Sequence, residues 1–404
     1  MTVLTEGRIV SVVRAAEAVL SQRAGSSVVL DDPEDLGGRG RTTVVRVRVA
    51  QNPFSQARTL VIKALPVDEE PHAFHREIAA YKYATTLPTQ SRPGPQIIAS
   101  DADARVLVLS DLGHGRSMSE LLTGRDVTEA VHAVSAWGQA LGRMHAATFG
   151  GESDFRALLR RGSNRAEEVN VLREQAVRAF SLFDGALRAL DVPVPPRVTG
   201  MLANACDLFT EGEHRAFSTS DIGPENILIN GGGVQFMDYE WGGFRDAILD
   251  VAYSQVTCSS ALSTIDPAVR ERLEEAMVDA WRAEVSLIWP ALSNRRVLAR
   301  RLLAARLLWV WLSTVWMLPL DGLQPTVADI VEAGFAETSE LTVAGASSSR
   351  ANGHLHDLAL YTSDPRVLVT RWADLASAAS RADDAVLSAT AVRLGAALTR
   401  DWLT

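Results

Sequence analysis

The chain has 404 residues, of which 47 % are apolar and 22 % charged, a composition typical of a globular protein large enough for two lobes. Its formal net charge of −9 argues against a nucleic-acid partner, because phosphate backbones need a basic surface. The two cysteines, Cys206 and Cys258, are too few for a disulfide framework and lack metal-binding spacing, so we expect a cytoplasmic protein.

The N-terminal segment predicts an amphipathic helix over residues 1–22. Ile9, Val13, Ala16 and Leu20 fall on one face of such a helix. Charged residues interrupt the apolar ones, which excludes the core of a signal peptide.

Strand patterns dominate the next ninety residues. Alternating apolar residues predict strands between residues 29 and 65, and two more are predicted within residues 95–113. A helix over residues 70–87 lies between them, and Phe74, Ile78 and Tyr81 form its apolar stripe. We therefore expect a strand-rich N-terminal lobe over residues 1–113.

Residues 114–404 predict a larger, mainly helical lobe. The helical patterns cover residues 128–148, 164–190, 195–209, 267–287 and 294–317. The apolar segment 302–320 contains Arg306 and Pro319, which favours a buried helix over a membrane span, and we expect no membrane partner. Residues 338–354 are polar and small enough to be mobile.

The exception in the helical part is a short hairpin, "NILINGGGVQFMD", over residues 226–238. If Gly231 to Gly233 form the turn, Asn226 and Asp238 stand opposite each other at the open end. Opposed Cβ atoms lie about 4.5–5.5 Å apart, which lets both side chains reach one Mg²⁺ at about 2.0–2.1 Å. We therefore predict that Asn226 and Asp238 bind a magnesium ion.

Asp221 lies one loop before this hairpin, in "DIGPEN". Gly223 and Pro224 allow the chain to curl back, so that the Asp221 carboxylate approaches the same place. A carboxylate and an amide that hold magnesium, with a second carboxylate free to accept a hydroxyl proton, are what phosphoryl transfer from ATP requires. Asp221 is the predicted catalytic residue.

The spacing of Asp221, Asn226 and Asp238 resembles the catalytic loop and metal-binding aspartate of the aminoglycoside phosphotransferase and choline kinase family, which is related to the protein kinases. The resemblance implies an α+β, two-lobed protein-kinase-like fold that uses ATP and Mg²⁺. The family usually has His-Gly-Asp where this chain has Thr219-Ser220-Asp221, which removes a histidine that commonly braces the loop. Glu240 resembles either a second metal contact or a residue that supports the loop.

The resemblance also implies nucleotide-binding residues in the N-terminal lobe. Lys63, in the apolar strand "LVIKAL", matches the lysine that contacts the ATP phosphates, and Glu77 matches its ion-pair partner. The glycine-rich segment "DLGGRGR", with Gly38 and Gly40, matches the loop that covers the phosphates.

Further likenesses extend over residues 29–253. The backbone from Ser110 to Leu112 matches the linker that hydrogen-bonds adenine. Asp250, in "RDAILDVAY", matches an aspartate that supports the catalytic loop. We expect His145, in "LGRMHAAT", to be a packed helix residue and not a catalyst.

The predicted activity is ATP- and Mg²⁺-dependent transfer of the γ-phosphate to a hydroxyl of a small molecule, such as an aminoglycoside, an amino sugar or another antibiotic. Two alternatives stay open: phosphorylation of serine or threonine in a peptide during natural-product maturation, and a pseudokinase that binds nucleotide or a partner peptide. The sequence leaves open the acceptor, the choice between ATP and GTP, and the oligomeric state.

Overall fold

A computed structural model describes most of the chain. The described residues are 3–38, 42–51, 58–65, 71–92, 94–162, 170–262, 265–317, 358–362 and 364–402. Gly40 and the segment 338–354, for which mobility was predicted, lie outside these ranges.

The chain forms two compact units. The first comprises residues 1–115, 151–169 and 228–243, and the second comprises residues 116–150, 170–227 and 244–404. The first is built on an antiparallel sheet and the second is mainly helical, which confirms the predicted α+β class. The predicted boundary after Gly113 stays a prediction, and the first unit also takes in two later segments.

The first unit contains three α-helices, one 3₁₀ turn (Thr89–Ser91) and seven strands among its described residues. In chain order the α-helices and strands are α1 (Val3–Ala24), β1 (Val29–Gly37), β2 (Thr43–Gln51), β3 (Thr59–Ala64), α2 (Pro71–Thr85), β4 (Ile97–Asp101), β5 (Val106–Ser110), α5 (Glu152–Gly162), β8 (Ile227–Asn230) and β9 (Gly233–Phe236).

Strands β1 to β5 form one sheet in the order β1-β2-β3-β5-β4, and every neighbouring pair is antiparallel. The predicted apolar face of α1, formed by Ile9, Val13, Ala16 and Leu20, is buried in one core with the sheet. Burial of this face removes apolar side chains from water, which is the main favourable contribution to folding here.

Helix α2 buries the predicted stripe of Phe74, Ile78 and Tyr81. Helix α5 packs against α2, and the rings of Tyr83 and Phe155 meet edge to face with their centroids 5.8 Å apart. This packing fixes the position of α2 and therefore that of Glu77, which contacts Lys63 on β3.

The second unit contains the remaining elements. They are β6 (Arg116–Ser117), α3 (Met118–Leu122), α4 (Val127–Thr148), α6 (Val171–Ala189), α7 (Pro196–Asp207), β7 (Arg215–Ser218), β10 (Gly243–Asp246), α8 (Ala247–Ala261), α9 (Pro267–Val285), α10 (Arg295–Met317), α11 (Pro365–Arg381) and α12 (Ala385–Trp402). Strands β7 and β10 pair with each other.

Helices α4 and α9 pack closely because two glycines of α4 face α9. A Cβ atom at Gly138 would lie 2.1 Å from the Met277 carbonyl oxygen, and one at Gly142 would lie 2.9 Å from that of Trp281. The glycines therefore allow backbone contact that a larger residue would prevent.

Helix α10 contains most of the apolar segment 302–320. Its tryptophans Trp309 and Trp311 are buried, and its buried Arg306 forms a two-point ion pair with Glu274 at 2.8 and 2.9 Å. Within the described ranges, no helix combines the length and the apolar character needed to cross a bilayer.

The hairpin of β8 and β9 has a shorter turn than predicted. Gly233 already belongs to β9, so the turn consists of Gly231 and Gly232, and the side-chain oxygen of Asn230 accepts the Gly232 N–H at 2.8 Å. Asn226 ends a 3₁₀ turn, Pro224–Asn226, and does not belong to β8. The predicted direct opposition of Asn226 and Asp238 depended on a three-residue turn, and that step of the sequence argument is wrong.

Candidate active site

A charged cluster in the first unit centres on Lys63, which lies on β3. Its Nζ atom is 2.6 Å from Oε1 of Glu77 on α2 and 2.6 Å from Oδ1 of Asp238. The Glu77 side chain is completely buried, that of Lys63 is 10 % exposed, and that of Asp238 is 36 % exposed. Asp238 is therefore the member of the cluster that faces outward.

The carboxylates keep Lys63 charged. Burial alone lowers the pKa of the ammonium group, but the negative charges of Asp238, Glu77 and Glu240 together hold its pKa well above the ordinary value. Burial, with a smaller contribution from the charge of Asp238, raises the pKa of Glu77 despite its contact with Lys63. Lys63 can therefore present a positive charge to an anion at any physiological pH.

Tyr239 anchors the backbone between the two acidic residues Asp238 and Glu240. Its ring is buried and stacks on Tyr81 of α2, with centroids 4.3 Å apart and planes 8° apart. Asp238 itself has a φ of +58°, and Oε1 of Glu240 accepts a hydrogen bond from the indole of Trp241 at 2.8 Å. The stack thus holds both carboxylates at the end of the hairpin.

In the second unit, the contacts of the Asp221 carboxylate with described residues include three hydrogen-bond donors. Tyr253 of α8 donates its hydroxyl to Oδ1, and Asn226 donates its side-chain N–H to Oδ2 at 2.7 Å. The backbone N–H of Ala359 lies 3.2 and 3.3 Å from the two oxygens. Burial and the adjacent Asp221 charge raise the pKa of Tyr253 well above its ordinary value, so this hydroxyl stays a donor.

The same contacts orient Asn226. Its Nδ2 atom also donates to the Asp221 carbonyl oxygen at 3.0 Å, which leaves the amide oxygen as the atom available to a metal ion. In the first unit, Asp238 has a partly exposed carboxylate. Each side chain therefore offers an oxygen donor of the kind that Mg²⁺ prefers; that the two bind one ion stays a prediction.

The loop that carries Asp221 is braced by a buried network. Asp250 of α8 accepts a hydrogen bond from Nε of Arg245 at 2.5 Å, and its other oxygen lies 3.0 Å from Nε2 of His145. Arg245 in turn donates to Ser220. Burial opposes ionisation of Asp250, but Arg245 and His145 lower the pKa below the ordinary value. His145 is packed in this network, and its Nδ1 accepts the Trp281 indole N–H at 2.9 Å.

The remaining predicted nucleotide contacts belong to the first unit. The Ser110 N–H donates to the Gln96 carbonyl at 2.9 Å, and the Leu112 carbonyl accepts from the Asn230 side chain at 2.7 Å. A Cβ atom at Gly38 would lie 2.1 Å from the Thr42 carbonyl oxygen, so this position requires glycine. Their contacts with a nucleotide stay predictions, as does that of Gly40.

The sequence analysis missed three groups that contact the loop of Ser220 and Asp221: Arg245, Tyr253 and the Ala359 N–H. Arg245 and Tyr253 lie in the segment "RDAILDVAY", and an arginine in the same short segment as Asp250 was a usable signal. Nothing in the local sequence marks Ala359, because it reaches Asp221 across 138 residues of chain.

Several solved structures are similar to this chain at low sequence identity. A choline/ethanolamine kinase family protein from Mesorhizobium loti is 16 % identical, with a TM-score of 0.40 over 89 % of this chain and 98 % of that one. The amicoumacin kinase hAmiN, in complex with AMP-PNP, Ca²⁺ and Ami, is 11 % identical, with a TM-score of 0.42 over 80 % and 88 %.

A third similar structure is the GDP and kanamycin complex of the aminoglycoside phosphotransferase APH(2")-IIIa. It is 13 % identical, with a TM-score of 0.42 over 82 % of this chain and 99 % of that one. The comparison with curated proteins found no match.

The sequence model of the APH phosphotransferase enzyme family matches residues 38–287. This match covers more than half of the chain and includes Lys63, Glu77, Asp221, Asn226 and Asp238. The chain therefore belongs to the phosphotransferase enzyme family, and the family and the enzyme class predicted from its motifs, an O-phosphotransferase, are confirmed.

Proposed function

We propose that this protein transfers the γ-phosphate of ATP, with Mg²⁺, to a hydroxyl of a small molecule such as an aminoglycoside, an amino sugar or another antibiotic-like compound. The observation that carries the proposal is the Asp221 carboxylate, which Tyr253 and Asn226 hold in one orientation within a phosphotransferase family sequence. A fixed carboxylate is what an acceptor hydroxyl needs for general-base assistance.

The first unit supplies the phosphate-binding charge in this proposal. Lys63 contacts the α and β phosphates, and Glu77 fixes the position of its ammonium group. Gly38 and Gly40 cover the phosphates, and the backbone from Ser110 to Leu112 binds adenine, as the sequence predicts.

Asn226 and Asp238 are the proposed metal ligands, with Glu240 as a further one. Bound Mg²⁺ would neutralise charge on the β and γ phosphates. The assignment rests on the sequence pattern and on the oxygen that each side chain leaves available. Glu240 already accepts a bond from Trp241, so a supporting role remains its alternative.

In the chemical step, Asp221 accepts the proton of the acceptor hydroxyl. The acceptor oxygen forms a bond to the γ-phosphorus, the bond from that phosphorus to the bridging oxygen breaks, and ADP leaves. The acceptor hydroxyl can reach Asp221 by replacing one of the described donors. The Ala359 N–H makes the longest contacts, at 3.2 and 3.3 Å, and is shared between two oxygens, so we infer that it is the group replaced.

One observation favours a second candidate function, phosphorylation of a peptide serine or threonine. One of the groups that contact Asp221 is itself polypeptide backbone, the N–H of Ala359. A peptide acceptor could place its own backbone along the same loop.

The test is ATP consumption with Mg²⁺ across panels of aminoglycosides, amino sugars and serine- or threonine-containing peptides, with kanamycin and amicoumacin included. We expect turnover with a hydroxylated small molecule and loss of it in Asp221→Asn. Phosphate found on peptide serine would favour the second candidate. Magnesium-dependent ATP binding without turnover on any panel would favour a pseudokinase, and undiminished turnover in a folded Asp221→Asn variant would contradict the assignment of the base.

A further inference from the structure

Ser220, which directly precedes Asp221, has a backbone conformation that few residues other than glycine adopt. Its φ is +84°, where the Cβ atom of an L residue crowds the neighbouring carbonyl group. The conformation at Ser220 sets the direction in which the next side chain, that of Asp221, leaves the backbone. This strain must be offset by contacts, or the loop would relax and turn the carboxylate away.

The Ser220 N–H donates to the Ser218 hydroxyl at 2.9 Å, and the Ser220 carbonyl accepts the Ile222 N–H at 3.0 Å. Arg245 supplies the charged contacts. Its NH1 donates to the Ser220 hydroxyl at 3.0 Å, and its NH2 donates to the Ser220 carbonyl at 2.9 Å. Ser220 is 2 % exposed and Arg245 is 5 % exposed, so these bonds form away from water, where charge-assisted hydrogen bonds are strong. The planar guanidinium therefore forms hydrogen bonds with both the side chain and the backbone of Ser220.

The guanidinium is itself held on its other sides. Its Nε donates to Asp250 at 2.5 Å, and its carbon lies 5.6 Å from the ring centroid of Trp309. Thr219, which stands where the family usually has a bracing histidine, has a buried hydroxyl without a hydrogen-bond partner among the described residues. The brace therefore comes from Arg245 and not from the residue before Ser220.

We propose that Arg245 is a positioning residue that clamps the strained Ser220 and so fixes the orientation of the Asp221 carboxylate. The catalytic part of this proposal rests on the proposed function, in which Asp221 is the base. The clamp itself is a property of the fold and can be tested without an acceptor.

The test begins with Arg245→Lys, which keeps a positive charge beside Asp250 but cannot make the two-point grip on Ser220. We expect kcat to fall by about 100-fold, because a shift of about 1 Å in a catalytic group has that effect, with the KM for ATP unchanged. Ser220→Gly in the Arg245→Lys background should restore most of the lost kcat, because glycine adopts positive φ without a clamp.

Ser220→Ala in the same background is the matched control. Alanine also lacks the hydroxyl but keeps the Cβ atom, so it should not restore kcat. If alanine rescues as well as glycine, or if Arg245→Lys keeps the wild-type kcat, the proposal is wrong. A merely structural role of Arg245 would predict neither the unchanged KM for ATP nor the selective rescue by glycine.

Thermal unfolding of the same variants separates this proposal from the proposed function. Ser220→Gly should raise Tm more in the Arg245→Lys background than in the wild-type background, and Ser220→Ala should not. This difference is expected even if no acceptor is ever found. Equal effects of glycine in the two backgrounds would overturn the clamp, whereas absence of turnover in the wild-type protein would overturn only the proposed function.

Discussion

Lys63 shows why a charge can be kept inside this fold. An isolated buried ammonium group is costly, but here Glu77 and Asp238 both lie 2.6 Å from it. The carboxylate charges outweigh burial and raise its pKa. The arrangement also creates a dependence, because the fully buried Glu77 relies on the lysine for its counter-charge.

We expect Lys63→Met to lose nucleotide binding and to destabilise the protein by about 3–5 kcal/mol, because it leaves Glu77 buried without a cation. Without Lys63, the pKa of Glu77 should rise further. When the folded state raises the pKa of a carboxyl group, the protein loses stability as the pH rises above the ordinary pKa of that group, about 4.3. Urea unfolding from about pH 5 to about pH 8 should therefore show a loss of stability that grows with pH.

The double variant Lys63→Met with Glu77→Gln is the control for this prediction. Glutamine removes the uncompensated charge, so the stability should recover and its pH dependence should disappear, while nucleotide binding stays lost. A single Lys63→Met variant as stable as wild type at pH 8 would show that Glu77 does not depend on the lysine.

Tyr253 offers a second test at a single atom. Tyr253→Phe removes the hydroxyl that donates to Asp221 and keeps the ring, which meets Trp309 edge to face at 5.0 Å. A hydrogen bond to a charged group contributes about 1.5–3 kcal/mol, so we expect a stability loss of that size. Because Asp221 loses one orienting donor, kcat should fall while the KM for ATP stays unchanged. A variant with lowered stability and an unaltered kcat would exclude an orienting role.

At the scale of elements, the spacing of apolar residues predicted which helix faces are buried, but it did not predict the length of the hairpin turn. The apolar faces of α1 and α2 follow from the spacing of residues such as Ile9 and Phe74, because apolar residues on the core-facing side of a helix recur about every 3.6 residues. The hairpin turn could not be predicted to the residue, because three glycines in succession fit several turns. In the structure, the Gly232 N–H donates to the Asn230 side chain within a two-residue turn.

The loop around Asp221 shows the same limit. Its motif could be found from residue spacing, but its conformation depends on Arg245, Tyr253 and Ala359, which are distant in sequence. A pattern within a short window contains no information about partners that the fold brings from elsewhere. The residues of the Asp221 motif were therefore predictable, but the distant residues that hold the loop in place were not.

Packing of α4 against α9 gives an element-scale prediction with an internal control. Gly138→Ala would place a methyl group 2.1 Å from the Met277 carbonyl oxygen, and such overpacking costs about 1–3 kcal/mol. Gly185→Ala in α6 meets no atom within 4 Å, and its better helix propensity should add about 0.5–1 kcal/mol. Urea unfolding should thus give changes of opposite sign, and equal changes would contradict the close contact.

The contact between the catalytic loop and residue 359 can be tested by a compensating pair. Gly223→Ala would place its Cβ atom 2.1 Å from that of Ala359 and should push the Ala359 N–H away from Asp221. Since the acceptor hydroxyl is proposed to replace this N–H, we expect the KM for the acceptor to fall and the KM for ATP to stay unchanged. Adding Ala359→Gly removes the clash and should restore the original KM. An acceptor KM that is the same in all three proteins would show that Ala359 does not compete with the acceptor.

At the scale of the whole molecule, each unit carries a different part of the proposed chemistry. The first unit contains Lys63, Glu77 and Asp238, the cluster for which we propose contacts with phosphate and metal. The second contains Asp221 and the groups that orient it. Because each cluster is held by contacts within its own unit, changes in one should leave the local structure of the other intact.

This division predicts that nucleotide binding and turnover can be separated. ATP with Mg²⁺ at about 100 times its Kd should stabilise the folded protein by about 2.7 kcal/mol, which is measured as a rise in Tm. Asp221→Asn should keep this rise in Tm and lose turnover, whereas Lys63→Met should lose both. EDTA should reduce the rise in the wild-type protein, because the proposed metal ligands Asn226 and Asp238 would lack their ion. A rise in Tm that disappears in Asp221→Asn but persists in Lys63→Met would reverse the assigned roles, since the nucleotide would then depend on the second unit and not on the charge of Lys63.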